Sequence, residues 1–400
     1  MTASAESKSS KYEDLLKQAK NIAVIRLDGL GDSLLAQPAV RHLVNSCPQA
    51  KATVLASRLG APVFKDLCPA AIIETGDHER GTRQIFETLK ELDPEIILCF
   101  TEKGYALKAV GRFRRALRIG FFPGLSQPLK SLALFYQLSE RVFYDNDPKK
   151  PQSLHEAERF FLLLDRLGLT RPEKIEAARL EISPEAEVQA GNSIRLLAVQ
   201  SAKAAAIEAE PEALEHPVCI QLMPRWDPEI AQLQQDLQER VISEAEAREL
   251  LKEYMQPVEE LCAYLKAQNT PFVFSCAPPD RIWAQIFTRS LPAFSAAPDP
   301  LPLFSSLDLY EFAAFIKQAR FMVSPDGGAV HTAAAVKTPA VVVFPEKNLD
   351  NCLCRWSPWQ SEYKVAVRQG NRADNKKFSE NLIEACKEYV DRNKRSNSHL

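Results

Sequence analysis

The chain has 400 residues, which is long for one hydrophobic core, so a division into two domains is expected. Its 46% hydrophobic and 26% charged residues exclude pervasive disorder and fibrous repeats. Fifty Lys plus Arg against 52 Asp plus Glu give a net charge of −2, so overall charge does not favour nucleic acid and an anionic ligand needs a local site.

No run approaches the roughly 18 consecutive apolar residues of a membrane-spanning helix. Residues 1–20 lack the apolar core of a signal peptide, so a cytoplasmic location is expected. The nine cysteines are odd in number and scattered, and read as reduced thiols. Cys352 and Cys354 have no second Cys or His pair at zinc-site spacing, so no metal is expected there.

Residues 1–19 open Ser-, Lys- and Glu-rich and read as a disordered N-terminal tail. The apolar, β-branched run 21–27 (NIAVIRL) predicts a strand, DGLGD a turn, and 33–45 a helix carrying Leu34, Leu35, Val40 and Leu43 at helical spacing. Strand-like runs at 52–56, 71–74 and 96–100 alternate with helical patterns at 58–67 and 81–92, which implies βαβ units and a parallel sheet. A strand at 118–122 and a helical passage containing 155–167 (HEAERFFLLLDRL) complete a first domain over 20–185.

Residues 186–216 are Ala- and Glu-rich and predict a helical linker or insertion with a break at Gly191-Asn192. Over 217–375, strands at 218–222, 271–275, 321–324 and 340–344 alternate with helical stretches, among them one or two long helices over 229–268. This is a second α/β domain. Residues 376–400 predict a closing helix, with Leu382, Cys386 and Val390 apolar, and a frayed tail.

Two constellations carry candidate chemistry. In RLDGLGD, 26–32, Gly29 and Gly31 allow a tight turn and close approach to a ligand. The third glycine of a dinucleotide fingerprint is missing, because Leu34 stands there. Asp32, at the carboxyl end of a strand, suits either a general base or a helix N-cap. Asp28 is a second turn carboxylate, and Arg26 supports the loop or meets a phosphate. In SPDGGAVHTAAAVKTPAVVVFPE, 324–346, Gly327 and Gly328 precede a helix whose N-terminal amides suit a pyrophosphate. Asp326 bonds a sugar hydroxyl or caps that helix, and His331 is either a structural residue or an acid–base group.

In this order the two segments resemble the signature of glycosyltransferase family 9, the ADP-heptose heptosyltransferases. Gly31, Asp32 and Pro38 match its opening element; Asp326, Gly328, His331, Ala333 to Ala335, Pro339 and Phe344 match its second. The resemblance extends over about residues 20–390 and takes in 155–169, RWDP at 225–228 and Trp356-Ser357-Pro358-Trp359. Departures are Pro224 where the family has a phosphate-binding lysine, with Arg225 as its substitute, Gly327 in place of a hydroxyl residue, FPE at 344–346, and the expanded 229–268.

The resemblance implies an α/β protein of the GT-B fold, two Rossmann-like domains whose parallel sheets face each other across a cleft, with the last helix packing back on the first domain. It implies an inverting, metal-independent transfer of a sugar from a nucleotide diphosphate to a lipopolysaccharide-core or other glycan acceptor. ADP-heptose is the donor it points to, as substrate, with no cofactor. Asp32 is then the base, and Arg26, Gly29 and Gly31 form the acceptor-side loop. Arg225, Asp326, Gly327, Gly328, Ala329 and His331 hold the donor. Asp145-Asn146-Asp147 reads as a turn rather than a metal motif. The basic residues Arg112, Arg114, Arg115, Arg118 and Lys130 are either a solvated helix face or an acceptor-phosphate patch at the inner leaflet, the latter a peripheral membrane contact. Alternatives are a family 9-like transferase with another sugar or acceptor, and a non-catalytic nucleotide-sugar-binding protein.

Overall fold

The computed structural model describes residues 6–122, 135–143, 153–291, 303–370 and 372–397; Lys130 and residues 145–147 lie outside them. The chain forms two compact units, Met1–Arg179 with Leu353–Trp359, and Leu180–Cys352 with Gln360–Leu400.

The first unit is built on six parallel strands, β1 (Asn21–Arg26), β2 (Lys51–Ala56), β3 (Ala70–Ile72), β4 (Ile96–Cys99), β5 (Leu117–Phe122) and β6 (Glu140–Phe143), in the order β3-β2-β1-β4-β5-β6. The second has β7 (Val218–Leu222), β8 (Phe272–Cys276), β9 (Leu303–Phe304), β10 (Met322–Pro325), β11 (Ala340–Pro345) and β12 (Tyr363–Arg368), parallel, in the order β12-β11-β10-β7-β8-β9. Counted from its own first strand, each sheet is wound 3-2-1-4-5-6. The strand order reverses between β1 and β4 and between β7 and β10, and the crevice outside the carboxyl ends of such strands is where open α/β sheets take ligands. The expected class, α/β of the GT-B type with two Rossmann-like units, is borne out.

The central strands are continuous apolar runs because helices cover both faces: all of Ile22 to Ile25 and Ile96 to Cys99 are buried. The two edge strands β6 and β9 escape a pattern reading, since β6 carries Glu140 and Arg141 in four residues and β9 is two residues long.

Four expectations are corrected. The N-terminal tail is not disordered throughout: Glu6–Gln18 is a helix, and Tyr12, Leu16 and Ala19 bury one stripe at helical spacing while the Tyr12 hydroxyl donates to Glu140. Residues 186–216 are not a linker, because Pro184–Ala205 runs unbroken through Gly191 and docks Ile194 and Ala198 on Cys219, Val273 and Phe315 of the second unit. A mid-helix glycine costs about 1 kcal/mol, which that burial outweighs. The 229–268 stretch is three helices, Pro228–Gln238, Glu244–Tyr254 and Gln256–Ala267. Left-handed Arg240 and a Ser243–Glu246 capping box separate the first two. Finally, the closing helix Asn375–Asn397 packs on the second unit, not the first, placing Phe378, Leu382, Cys386, Tyr389 and Val390 in one core with Phe321, Val341 and Ala366. The late segment that does belong to the first unit is Leu353–Trp359.

Candidate active site

The first motif leaves β1 at Arg26 and enters the helix Leu30–Ser46 through Gly29, which is its N-cap and offers no side chain. The N-cap alternative for Asp32 is thereby removed. Asp32 is the third residue of the helix, and its carboxylate accepts from the Gly29 amide. Gly31 is buried in the same turn.

Arg26 does not belong to the loop: it ends β1 and turns inward, 4% exposed. Its Nη1 donates to the Phe100 carbonyl at 2.6 Å and lies 3.0 Å from Asp28 Oδ2, while Nη2 lies 3.3 Å from Asp32 Oδ1. The guanidinium stacks 4.8 Å over the Phe160 ring. A cation so engaged supports the turn and is not presented to a substrate phosphate.

Asp28 is held from a second side by Lys103, whose Nζ is 3.7 Å away and donates to the Leu27 carbonyl at 2.8 Å. The two turn carboxylates thus separate in role. Asp28 is clasped between two cations, whereas Asp32 has one and keeps 40% of its side chain exposed. Burial raises the proton affinity of Asp32 above the ordinary carboxylate range, Arg26 opposes this, and Asp28 and Glu156 add to it. A carboxylate open on one face with raised basicity suits general-base work.

In the second motif β10 delivers Asp326, and Gly327 is the N-cap of the helix Gly328–Ala335, again with no side-chain cap. Asp326 therefore does not cap the helix; Arg225 bonds it instead. Arg225 Nη1 donates to the Asp326 carbonyl at 2.7 Å and lies 3.3 Å from Oδ2. Since β7 and β10 are neighbours, the carboxyl ends of these strands bring together residues 101 positions apart, with most of the Arg225 side chain exposed. Ala329 and His331 are buried in the first turn and a half of the helix.

Residues 241–387 match the sequence model of glycosyltransferase family 9 (heptosyltransferase). The resemblance is borne out over that span, and the chain is family 9-like there. Asp326, Gly327, Gly328, Ala329 and His331 fall inside the match; Asp32 and Arg225 fall outside it. The structure is similar to that of a glycosyl transferase family 9 protein from Veillonella parvula, with 15% identity, 93% of this chain and 97% of that one covered, and a TM-score of 0.60. It is also similar to Escherichia coli ADP-heptose LPS heptosyltransferase II, at 14% identity, 94% and 99% coverage and a TM-score of 0.59. A third likeness is to E. coli heptosyltransferase WaaC with ADP-2-deoxy-2-fluoro heptose, at 16% identity, 93% and 99% coverage and a TM-score of 0.56. At such identities the likeness is one of fold. No curated protein matches the chain.

Gly327 and the RWDP element have the following surroundings. A Cβ at Gly327 would sit 3.0 Å from the Met223 Cε, a tight contact with the flexible end of that side chain. In RWDP Arg225 and Pro228 are exposed, and the two residues between them are buried. Trp226 is buried and donates from Nε1 to the Gln221 carbonyl at 2.7 Å. Asp227 caps the helix Pro228–Gln238 and pairs with Arg368 at 2.8 Å.

Pattern reading missed Glu102, Lys103, Glu156, Arg159 and Arg355, all charged residues of the first unit near the Asp32 turn. The one available signal was that Glu102 and Lys103 follow β4, across the switch from β1. The basic segment also divides: Arg112, Arg114 and Arg115 are exposed, but Arg118 is buried on β5 and donates to Ser139 Oγ and the Gly111 carbonyl. Among the described residues no helix is long and apolar enough to cross a membrane.

His155 caps the helix Glu156–Leu167 in a capping box with Glu158, stacks on Trp359 and meets the Ser357 carbonyl at 2.9 Å. Burial pushes its pKa down to about 4, despite the help of that carbonyl and of Glu156. The unfolded chain takes up this proton near pH 6.5 and the folded one only near pH 4, so stability falls as pH drops through that window. About 2 kcal/mol should be lost at this residue between roughly pH 7.5 and pH 5. Urea unfolding at both pH values tests this: His155→Asn, which keeps a capping side chain, should show a smaller loss than the parent, and an equal loss counts against the assignment.

Proposed function

We propose that the chain is an inverting, metal-independent glycosyltransferase that moves heptose from ADP-heptose to a hydroxyl of a lipopolysaccharide-core or other glycan acceptor. The observation that carries this reading is that both motifs stand at the strand-order reversals of their sheets, Asp32 beyond β1 and Asp326 beyond β10. Asp32 takes the proton of the acceptor hydroxyl; the oxygen attacks the anomeric carbon as the bond to the diphosphate oxygen breaks, and the nucleoside diphosphate leaves with the electron pair. The amides of Gly327, Gly328 and Ala329, Arg225 and His331 offset the charge that develops on it. The E. coli WaaC structure with an ADP-linked fluoroheptose supports the choice of donor. Pro224, Arg225 and Gly327 keep open the second reading, a transferase of the same family with a different nucleotide sugar.

Calorimetric titration of ADP, UDP and GDP into folded protein should show the tightest binding with ADP. Arg225→Ala and Asp326→Ala should weaken it about 10-fold or more, as loss of charge-assisted contacts does. Preference for UDP or GDP would transfer the assignment to the second reading, and unchanged affinity in both variants would remove the donor site.

A cytoplasmic, peripheral contact with an anionic membrane is part of this proposal. Arg112, Arg114 and Arg115 are exposed, as are Phe135, Tyr136 and Phe143 around β6, a combination of cationic and aromatic side chains that suits the headgroup region. Flotation with phosphatidylglycerol vesicles should exceed that with neutral vesicles and weaken in an Arg112, Arg114, Arg115 triple alanine variant. Equal recovery with both vesicle types would rule the contact out.

A further inference from the structure

Arg26, the ion-pair partner of Asp32, lies over Phe160 of a helix that carries a buried set of charges the motif does not contain. Glu156 begins the helix Glu156–Leu167 and is 4% exposed. It accepts from Arg159 Nη1 at 3.0 and 3.2 Å and from Arg355 Nη2 at 2.9 Å. Arg159 pairs in addition with Glu102, which follows β4. Glu156, Arg159 and Phe160 share one helical face by their spacing, and Phe160 carries the Arg26 guanidinium on its ring. Arg355 comes from 199 positions further along the chain, in the segment Leu353–Trp359 that also brings Ser357 and Trp359 to His155.

The charges balance in two linked groups. Arg26 and Lys103 face Asp28 and Asp32, while Arg159 and Arg355 face Glu156 and Glu102. Were Arg355 absent, the buried Glu156 carboxylate would lose a partner, compete for the nearest remaining guanidiniums, Arg26 among them, and add negative potential at Asp32.

We propose that Arg355 and Glu156 are positioning residues for Asp32: Arg355 satisfies Glu156 and so leaves Arg26 committed to the Asp28 and Asp32 carboxylates. This rests on the reading of Asp32 as the base. The electrostatics agree. Burial alone would raise Glu156, yet Arg159, Arg355 and Arg26 together hold its carboxyl below the usual range, and Glu156 in turn raises Asp32. The other charged neighbours of Asp32, namely Asp28, Lys103 and Glu102, are already paired. His155, next to Glu156, is neutral above about pH 4.

The test is the titration of Asp32 in the free protein, followed by carbon-13 carboxyl resonance and assigned by its loss in Asp32→Asn. Arg355→Gln should move the midpoint up and Glu156→Gln should move it down, each by about 0.5 to 1 pH unit. The charge-balanced double variant E156Q/R355Q and the conservative R355K should both return toward the parent. A merely structural pair would move both single variants the same way or not at all, and either result overturns the proposal; so does a double variant further from the parent than both singles. The acid limb of kcat/KM should follow the same order. If Asp32→Asn retains full turnover while the resonance shifts as expected, it is the assignment of the base that fails and not the coupling.

Discussion

Asp32→Asn is expected to lower sugar transfer by about 100- to 10,000-fold while leaving the fold and donor affinity close to those of the parent. The amide keeps the size of the side chain and its contact with Arg26 Nη2, but it cannot accept the acceptor proton. The kinetic signature follows from the environment. Because burial, Asp28 and Glu156 raise the proton affinity of Asp32 against the pull of Arg26, the acid limb of kcat/KM should lie above the ordinary aspartate range. It should disappear from whatever residual activity Asp32→Asn retains. Single-turnover rates with a donor and acceptor that support transfer provide the measurement; an Asn variant with parental turnover would exclude Asp32 as the base. Asp28→Asn provides the contrast, since Asp28 is clasped by Arg26 and Lys103 and should act on stability before chemistry.

The second large effect belongs to Arg26. Its side chain is 5% exposed and joins Asp28, Asp32 and the Phe100 carbonyl, so Arg26→Met leaves two carboxylates and a carbonyl without their shared cation. Because Asp28 and Asp32 stay partly open to water and Asp28 keeps Lys103, the loss should be about 1–3 kcal/mol, below that of a fully buried pair. Arg26→Lys should recover part of this, because an ammonium keeps the charge but cannot reproduce the fork that spans three acceptors. The pH dependence has a definite sign. Asp32 binds its proton more tightly folded than unfolded, so its burden on stability is absent in acid and grows as pH rises through the folded pKa. Without Arg26 that burden increases, and the deficit of Arg26→Met should shrink on acidification through this range. Urea denaturation of parent, Arg26→Lys and Arg26→Met across that range measures it. A Met variant within about 1 kcal/mol of the parent at neutral pH would show that the cluster is not an interdependent set.

Much of this was legible in the order of residues. The alternation of short apolar runs with helical spacing determines two parallel sheets, since the middles of the central strands, such as Ile22 to Ile25 and Ile96 to Cys99, are buried on both faces and are apolar. Glycines at 29, 31, 327 and 328 mark where each strand yields to a helix at a ligand-facing turn. Local patterns failed where a residue's role depends on partners far along the chain. The spacing of RLDGLGD leaves Asp32 as base or cap and Arg26 as support for the loop or partner of a phosphate; the fold removes the cap by placing Gly29 there and turns Arg26 inward against Phe160. The same holds for the helix Pro184–Ala205, whose glycine suggested a break until Val273 and Phe315 offered it a face to cover. It holds as well for Asn375–Asn397, whose apolar stripe states that it packs but not on which unit. Periodicity encodes that a surface is buried and strand ends encode where ligands are met. Which charges neutralise one another beneath Asp32 is set only when the chain places Arg355 on Glu156, because a Coulomb interaction depends on distance in space and not on separation in sequence.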